Sequence, residues 1–155
     1  MQRANGTASK TSRSFRSKVP SMSIPADVKT ILKTFKKVAV VGISANSSRP
    51  SHWIARYLIE NGFDVIGVNP GLPQIKGIRV VGSLREIADP LEIVDIFRSP
   101  DAIPAIIEEL KNRKPAVVWL QPGAENPDAE DDARAAGMKI ISGRCIFADH
   151  KEITS

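Results

Sequence analysis

The sequence contains a single cysteine, Cys145, in 155 residues. One thiol cannot form a disulfide within the chain, and no Cys or His pair has the spacing of zinc ligands. A disulfide scaffold and a zinc module are therefore excluded. Aromatic residues are also scarce, at 5% of the chain. We expect no metal in the functional site.

Long hydrophobic runs are missing as well. No stretch approaches the 18 consecutive apolar residues of a transmembrane helix, and the amino terminus lacks the apolar block of a secretory signal peptide. We therefore interpret the chain as a cytoplasmic protein that does not enter a membrane. Its 42% of hydrophobic residues are enough for one globular domain with a buried core, whereas its length argues against a two-domain enzyme.

Acidic residues are absent from residues 1–26, whose basic residues are Arg3, Lys10, Arg13, Arg16 and Lys18. These five account for the net charge of +5, since residues 27–155 carry equal numbers of basic and acidic residues. A neutral domain does not favour binding to nucleic acid, which needs a clustered basic surface. Residues 1–22 are predicted to be a disordered basic extension. Their composition is also typical of a mitochondrial transit peptide, so the mitochondrial matrix is an alternative location.

From residue 23 to residue 155, short apolar runs alternate with amphipathic segments of helical length, which indicates an α/β domain. Strands are predicted at residues 37–43, 64–68, 91–97, 116–120 and 138–141. Helices are predicted at residues 25–35, 51–61, 100–113 and 127–137, with one or two helical turns at 83–88. Residues 72–82 are predicted to be irregular, with a short extended piece at 78–81. The order favours a single Rossmann-like, doubly wound parallel sheet of about five strands.

In such a sheet the strand-to-helix loops lie at the carboxyl edge, where ligands bind. The first loop, GISANSSRPS, has Gly42 at a sharp turn and Arg49 just before a helix that starts at Ser51. A helix start offers unpaired N–H groups and a partial positive charge of about +0.5, so it favours an anion. Arg98, after the third predicted strand, can add a charge-assisted hydrogen bond. The sequence therefore predicts a phosphate-binding loop.

The loops depart from the dinucleotide-binding fingerprint. The first loop is not G-x-G-x-x-G, and the second strand ends in Val68-Asn69-Pro70. An NAD-binding chain has a carboxylate at that point, which accepts hydrogen bonds from the ribose hydroxyls. A neutral Asn-Pro end suits a nucleotide whose ribose carries a phosphate.

Five blocks in this order, GISANSSRPS, VNPG, VDIFR, VWLQPG and RCI, resemble the small stand-alone CoA-binding domain proteins. These are similar in fold to the CoA-binding domain of the succinyl-CoA synthetase alpha subunit. The resemblance covers about residues 28 to 150 and implies a Rossmann-like domain that binds coenzyme A or an acyl-CoA. The site residues that it implies are Gly42, Ser44, Asn46, Arg49 and Ser51 at the phosphates, Asn69 and Pro70 at the adenosine, and Phe97, Arg98, Gln121 and Gly123 along the remaining rim.

The chain departs from the family pattern at three places. Ser47 replaces the usual proline, His52-Trp53 replaces a Tyr-Gly-like pair, and Gly143 stands where an acidic residue is common. The shape of the helix start and the role of the Gly143 corner are therefore open.

Several single residues have a structural and a functional interpretation. Trp119 is predicted to pack in the core, His52 to lie at a helix entry and His150 to lie on the surface. Arg98 can bind a phosphate or pair with Asp101. Gln121 can bind the ligand or a loop backbone.

Cys145 is interpreted as a small buried residue near the end of a strand. Alternatively, Arg144 lowers the pKa of its thiol, and the thiolate forms a mixed disulfide with the thiol of bound coenzyme A.

No nucleophile, base and orienting group converge in these loops, so we interpret the chain as a non-catalytic carrier, sensor or subunit that binds CoA. A partner enzyme or a second copy of the chain is left open. The alternatives are an NAD(P)-dependent oxidoreductase and a nucleotide-binding interaction module.

Overall fold

Short runs of valine and isoleucine form the centre of the fold, because β-branched side chains suit strands that are covered on both faces. The computed structural model describes residues 24–72 and 74–155, so the predicted disordered extension at residues 1–22 lies outside the described residues. Within these ranges six strands form one parallel sheet: β1 (Lys37–Val41), β2 (Asp64–Val68), β3 (Arg79–Val81), β4 (Ile93–Ile96), β5 (Val117–Leu120) and β6 (Ile140–Ser142).

The strand order is β3-β2-β1-β4-β5-β6. Adjacent strands are parallel throughout, with Val40 of β1 opposite Gly67 of β2 and Asp95 of β4. This arrangement confirms the predicted Rossmann-like, doubly wound sheet. It has one strand more than the five that we expected, because the short extended piece at 78–81 pairs with β2 as an edge strand.

The described ranges contain five α-helices: α1 (Ala26–Thr34), α2 (Pro50–Glu60), α3 (Ile103–Leu110), α4 (Pro127–Ala135) and α5 (Ile146–Thr154). Short 3-10 turns lie at Leu84–Glu86 and Pro100–Ala102. Helix α4 begins where the sequence predicts, since Asn126 Oδ1 accepts a hydrogen bond from Ala129 N–H at 3.1 Å. Helix α5 was not predicted. Over the described ranges, no helix has the length and apolar character needed to cross a membrane.

The helices divide into two layers because alternate strand residues point to opposite faces of the sheet. Helices α1, α2 and α5 pack on the face that carries Val40, Ile93 and Trp119. Helices α3 and α4 pack on the face that carries Val41 and Ile96. Trp119 is fully buried, as predicted.

The order in which the chain adds strands reverses between β1 and β4, and the loops that leave these two strands meet at the carboxyl edge of the sheet. Gly42 lies directly after β1 with φ +88°, a left-handed conformation that glycine adopts without strain. A Cβ atom there would lie 2.5 Å from the carbonyl oxygen of Phe97. Only glycine therefore lets the two loops approach this closely.

Candidate functional site

Two clefts open at the carboxyl edge of the sheet and share a rim formed by Gly42, Phe97 and Arg98. Cleft A, of about 550 Å³, lies beside the loops that follow β1, β2 and β3. Cleft B, of about 540 Å³, lies between the first turn of α2 and the loops that follow β4, β5 and β6. The arrangement offers one continuous path across the edge.

Ten of the eleven site residues predicted from the sequence line one or both clefts. Besides the shared rim, Asn69 and Pro70 line cleft A. The predicted residues that line cleft B are Ser44, Arg49, Ser51, Gln121 and Gly123. Asn46 is the exception, because it lies in the first loop but is not part of either lining.

Side chains within the first loop hold its backbone in place. Asn46 Oδ1 accepts hydrogen bonds from the N–H and the hydroxyl of Ser48 at 3.0 and 2.8 Å. Ser44 Oγ accepts from Asn46 N–H, and Ser51 Oγ accepts from Ser44 N–H, both at 3.0 Å. Because Ser44 and Ser51 accept in these bonds, each hydroxyl still carries a proton to donate to a ligand. Asn46 shapes the loop and is not a lining residue.

The start of α2 has the features of an anion site. Arg49 is the N-cap residue and Pro50 follows at the first helical position, and the Arg49 side chain makes no capping hydrogen bond. Arg49 and Arg98 are both exposed, and neither lies within 4.0 Å of a carboxylate among the described residues. Two exposed arginines thus line the same cleft as a helix end that already favours negative charge.

Asp101 does not pair with Arg98 as the alternative interpretation suggested. Its Oδ1 accepts a hydrogen bond from the Ser99 hydroxyl at 2.6 Å. This bond, with a smaller contribution from the charge of Arg98, holds the pKa of Asp101 below its usual range. Arg98 is therefore available to the clefts.

Asn69 connects the first two loops. Its Nδ2 donates to the carbonyl of Ile43 at 2.8 Å, and its Oδ1 accepts from Gly71 N–H at 3.0 Å. Both ends of the amide are thus engaged within the protein. Asn69 shapes the wall of cleft A and provides no carboxylate for a ribose diol.

Gln121 and Cys145 connect cleft B to α5. The buried Gln121 Oε1 accepts from Ile146 N–H at 3.0 Å, so this side chain binds a loop backbone. Cys145 is the half-buried N-cap residue of α5 and lines cleft B. The neighbouring Arg144 donates to Asp149 at 2.7 Å, so its charge is shared with a carboxylate and not directed only at the thiol.

Both histidine side chains are buried and lie within hydrogen-bond distance of other groups of the protein. His52 lies at the entry of α2, as predicted, and is 3% exposed. The prediction that His150 lies on the surface is wrong, because it is 5% exposed and its Nδ1 lies 2.6 Å from the Tyr57 hydroxyl. Burial and, to a smaller extent, the charge of Lys36 lower the pKa of His150. Its packing against Phe63 explains the burial.

Trp53, Gly82 and Ser83 are among the cleft residues that sequence reasoning did not assign to the site. Trp53 is 39% exposed and lines cleft B. Gly82 and Ser83 line cleft A directly after β3. Their position could not be inferred because β3 itself was not predicted as a strand. The signal for Trp53 that the sequence offered was a large aromatic residue in the first turn of a helix that begins at the carboxyl edge of the sheet.

Three comparisons place the chain among known proteins. A family model described as "CoA binding domain" matches residues 36–151. The uncharacterized protein YneT of Bacillus subtilis (strain 168) is 34% identical over 125 residues, which are 81% of this chain and 93% of that protein. A Thermus thermophilus structure, cell-free ID.343, superposes with a TM-score of 0.78 at 34% identity and covers 82% of this chain and 96% of its own. A hypothetical protein from Pyrococcus horikoshii OT3 gives a TM-score of 0.81 at 28% identity, with 100% of both chains covered. The chain belongs to the CoA binding domain family.

Proposed function

We propose that the protein binds coenzyme A or an acyl-CoA across the two clefts and acts as a non-catalytic carrier, sensor or subunit. The adenosine occupies cleft A beside Asn69 and Pro70. The diphosphate lies over Gly42 at the start of α2, between Arg49 and Arg98. The pantetheine arm extends into cleft B, whose wall includes Trp53.

The shared rim is the observation that carries this proposal. Gly42 brings the loops after β1 and β4 close together, the exposed Arg98 is part of the shared rim, and the exposed Arg49 lines the adjoining cleft B. An elongated ligand with a diphosphate at its centre, between a nucleotide and a pantetheine arm, matches two clefts that share a rim containing Arg98. The family match over residues 36–151 supports CoA as that ligand.

The non-catalytic role is supported by how the titratable residues are used. His52 and His150 are both buried in hydrogen bonds within the protein. The NAD(P) alternative receives less support, because Asn69 stands where a ribose-binding carboxylate is expected and its amide is already engaged.

Isothermal titration calorimetry with CoA, acetyl-CoA, NAD and NADP tests the proposal. We expect CoA or its acetyl ester to bind, with NAD and NADP weaker by more than tenfold. The affinity ratio of CoA to acetyl-CoA identifies the preferred form. Tight binding of a nicotinamide nucleotide without CoA binding would favour the oxidoreductase alternative.

A further inference from the structure

His52 is buried behind the first loop and does not line either cleft. Its Nδ1 lies 2.8 Å from the carbonyl oxygen of Ser44, and Arg56 Nε donates to its Nε2 at 3.1 Å. A guanidinium only donates hydrogen bonds, so Nε2 is the acceptor. The proton of the neutral imidazole is then on Nδ1, which donates it to Ser44. Arg56 thus selects the tautomer that holds the loop.

Arg56 extends this connection to a second segment. Its Nη2 donates to the carbonyl of Lys76 at 2.8 Å. A Cβ atom at Gly77 would lie 3.3 Å from Arg56 Nη1, so the turn at residues 75–78 fits closely around the guanidinium. A continuous set of hydrogen bonds therefore runs from Ser44 through His52 and Arg56 to this turn, which leads into β3 beside cleft A.

Ser44 is the residue of the first loop that this set of bonds fixes. Its carbonyl accepts from His52, and its N–H donates to Ser51 Oγ at 3.0 Å. Both backbone polar groups of Ser44 are thus bound to the first turn of α2. Ser44 itself lines cleft B beside the start of that helix.

We infer that His52 is a positioning residue for anion binding: through Nδ1 it holds Ser44 in the geometry that receives the ligand's phosphates, and Arg56 fixes the imidazole that does so. The inference rests on the proposed function for the identity of the ligand. It assigns a role to the His52-Trp53 sequence, which departs from the family pattern.

Two substitutions distinguish the hydrogen bond at Nδ1 of His52 from the one at Nε2. In His52→Asn the amide nitrogen takes the place of Nδ1 and still donates to Ser44. In His52→Gln the longer side chain places its oxygen near the position of Nε2, where it accepts from Arg56, and the bond to Ser44 is lost. We expect His52→Asn to bind CoA within about twofold of the unmodified protein, and His52→Gln to bind about tenfold more weakly, as for the loss of one hydrogen bond.

Tyr57→Phe is the matched control. It removes the hydrogen bond between Tyr57 and His150 on the same helix, and we expect CoA affinity to stay unchanged. Equal affinities for His52→Asn and His52→Gln, or a loss in Tyr57→Phe as large as that in His52→Gln, would overturn the inference.

Hydrogen exchange of the Ser44 amide provides a readout that does not need the ligand. We expect exchange to accelerate in His52→Gln and in Arg56→Met, and to stay slow in His52→Asn. If the unmodified protein does not bind CoA, the proposed function fails while this exchange pattern still tests the positioning. If CoA binds and the Ser44 amide exchanges equally in all variants, the positioning inference fails by itself.

Discussion

At the scale of single residues, Arg49 is the cationic side chain that lies at the start of α2 in cleft B. Arg49 is exposed and is not paired with a carboxylate among the described residues. In Arg49→Ala the ligand loses a hydrogen bond to a charged group, so we expect CoA binding to weaken by roughly 1.5 to 3 kcal/mol with the fold intact. Calorimetry measures this change.

Arg79→Ala is the matched control for that prediction. Arg79 is an exposed arginine at the amino end of β3, whereas the clefts lie at the carboxyl ends of the strands. Its substitution removes the same charge from the domain and is expected to leave CoA affinity nearly unchanged. Equal losses in the two variants would mean that only net charge matters and would remove Arg49 from the site.

A second prediction at the scale of single residues concerns the effect of Asp95 on stability. Its side chain is fully buried in β4, and neither carboxylate oxygen has a hydrogen-bond partner in the described part of the chain. Burial raises the pKa of Asp95 well above its ordinary value of 3.8. The folded protein therefore keeps the Asp95 proton as the pH rises above 3.8, whereas the unfolded chain loses it. By linkage, this group makes the free energy of unfolding fall as the pH increases above 3.8 towards the raised pKa.

Asp95→Asn removes this contribution because an amide has a similar shape and does not ionise. We expect the variant to lose less stability than the unmodified protein between pH 3.8 and neutrality, and to be the more stable of the two at neutral pH. Urea unfolding at a series of pH values measures the difference. Asp64→Asn, at an exposed position, is the control. Parallel pH profiles for Asp95→Asn and the unmodified protein would contradict the assignment.

At the scale of secondary structure elements, the start of α5 is held by a hydrogen bond from a residue that follows β5. Gln121 follows β5, and its side chain accepts from the first N–H of α5. In Gln121→Ala this buried N–H loses its partner, so we expect the free energy of unfolding to fall by about 1 to 3 kcal/mol. Urea denaturation measures the change. Gln74→Ala, at an exposed glutamine, is expected to have no effect. Unchanged stability with a large loss of CoA affinity would instead make Gln121 a ligand-binding residue.

The elements also show how far the sequence predicts this fold. Elements with a strong apolar signal were predicted to within a few residues, both the amphipathic α2 and the continuous apolar run of β1. Helix α5 was missed because two of its buried residues, Asp149 and His150, are polar and read as solvent-facing. Asp149 is buried against Arg144, which lies before the helix, and His150 is buried against Tyr57 of α2. Neither partner follows from the local pattern of the sequence.

Ten of the predicted site residues line the two clefts, but the sequence did not predict what each side chain binds. These residues were implied by the family resemblance, and the topology rule explains why they lie at the same edge, because parallel strands end together there. The hydrogen bonds of Asn69 and Asn46 were not predicted, and a loop backbone was one of two partners considered for Gln121, since the sequence does not specify which backbone groups a polar side chain will bind. These three hold loops in place and form parts of the cleft walls or the loop behind them.

At the scale of the whole molecule, the account depends on one ligand that spans both clefts with its phosphates at the shared rim. A crystal structure of the protein with CoA tests this most directly. We predict the diphosphate within hydrogen-bond distance of the Ser44 or Ser51 hydroxyl and of Arg49 or Arg98, with the adenine in cleft A and the pantetheine in cleft B. CoA bound elsewhere, or at this edge with its diphosphate away from the start of α2, would contradict the account.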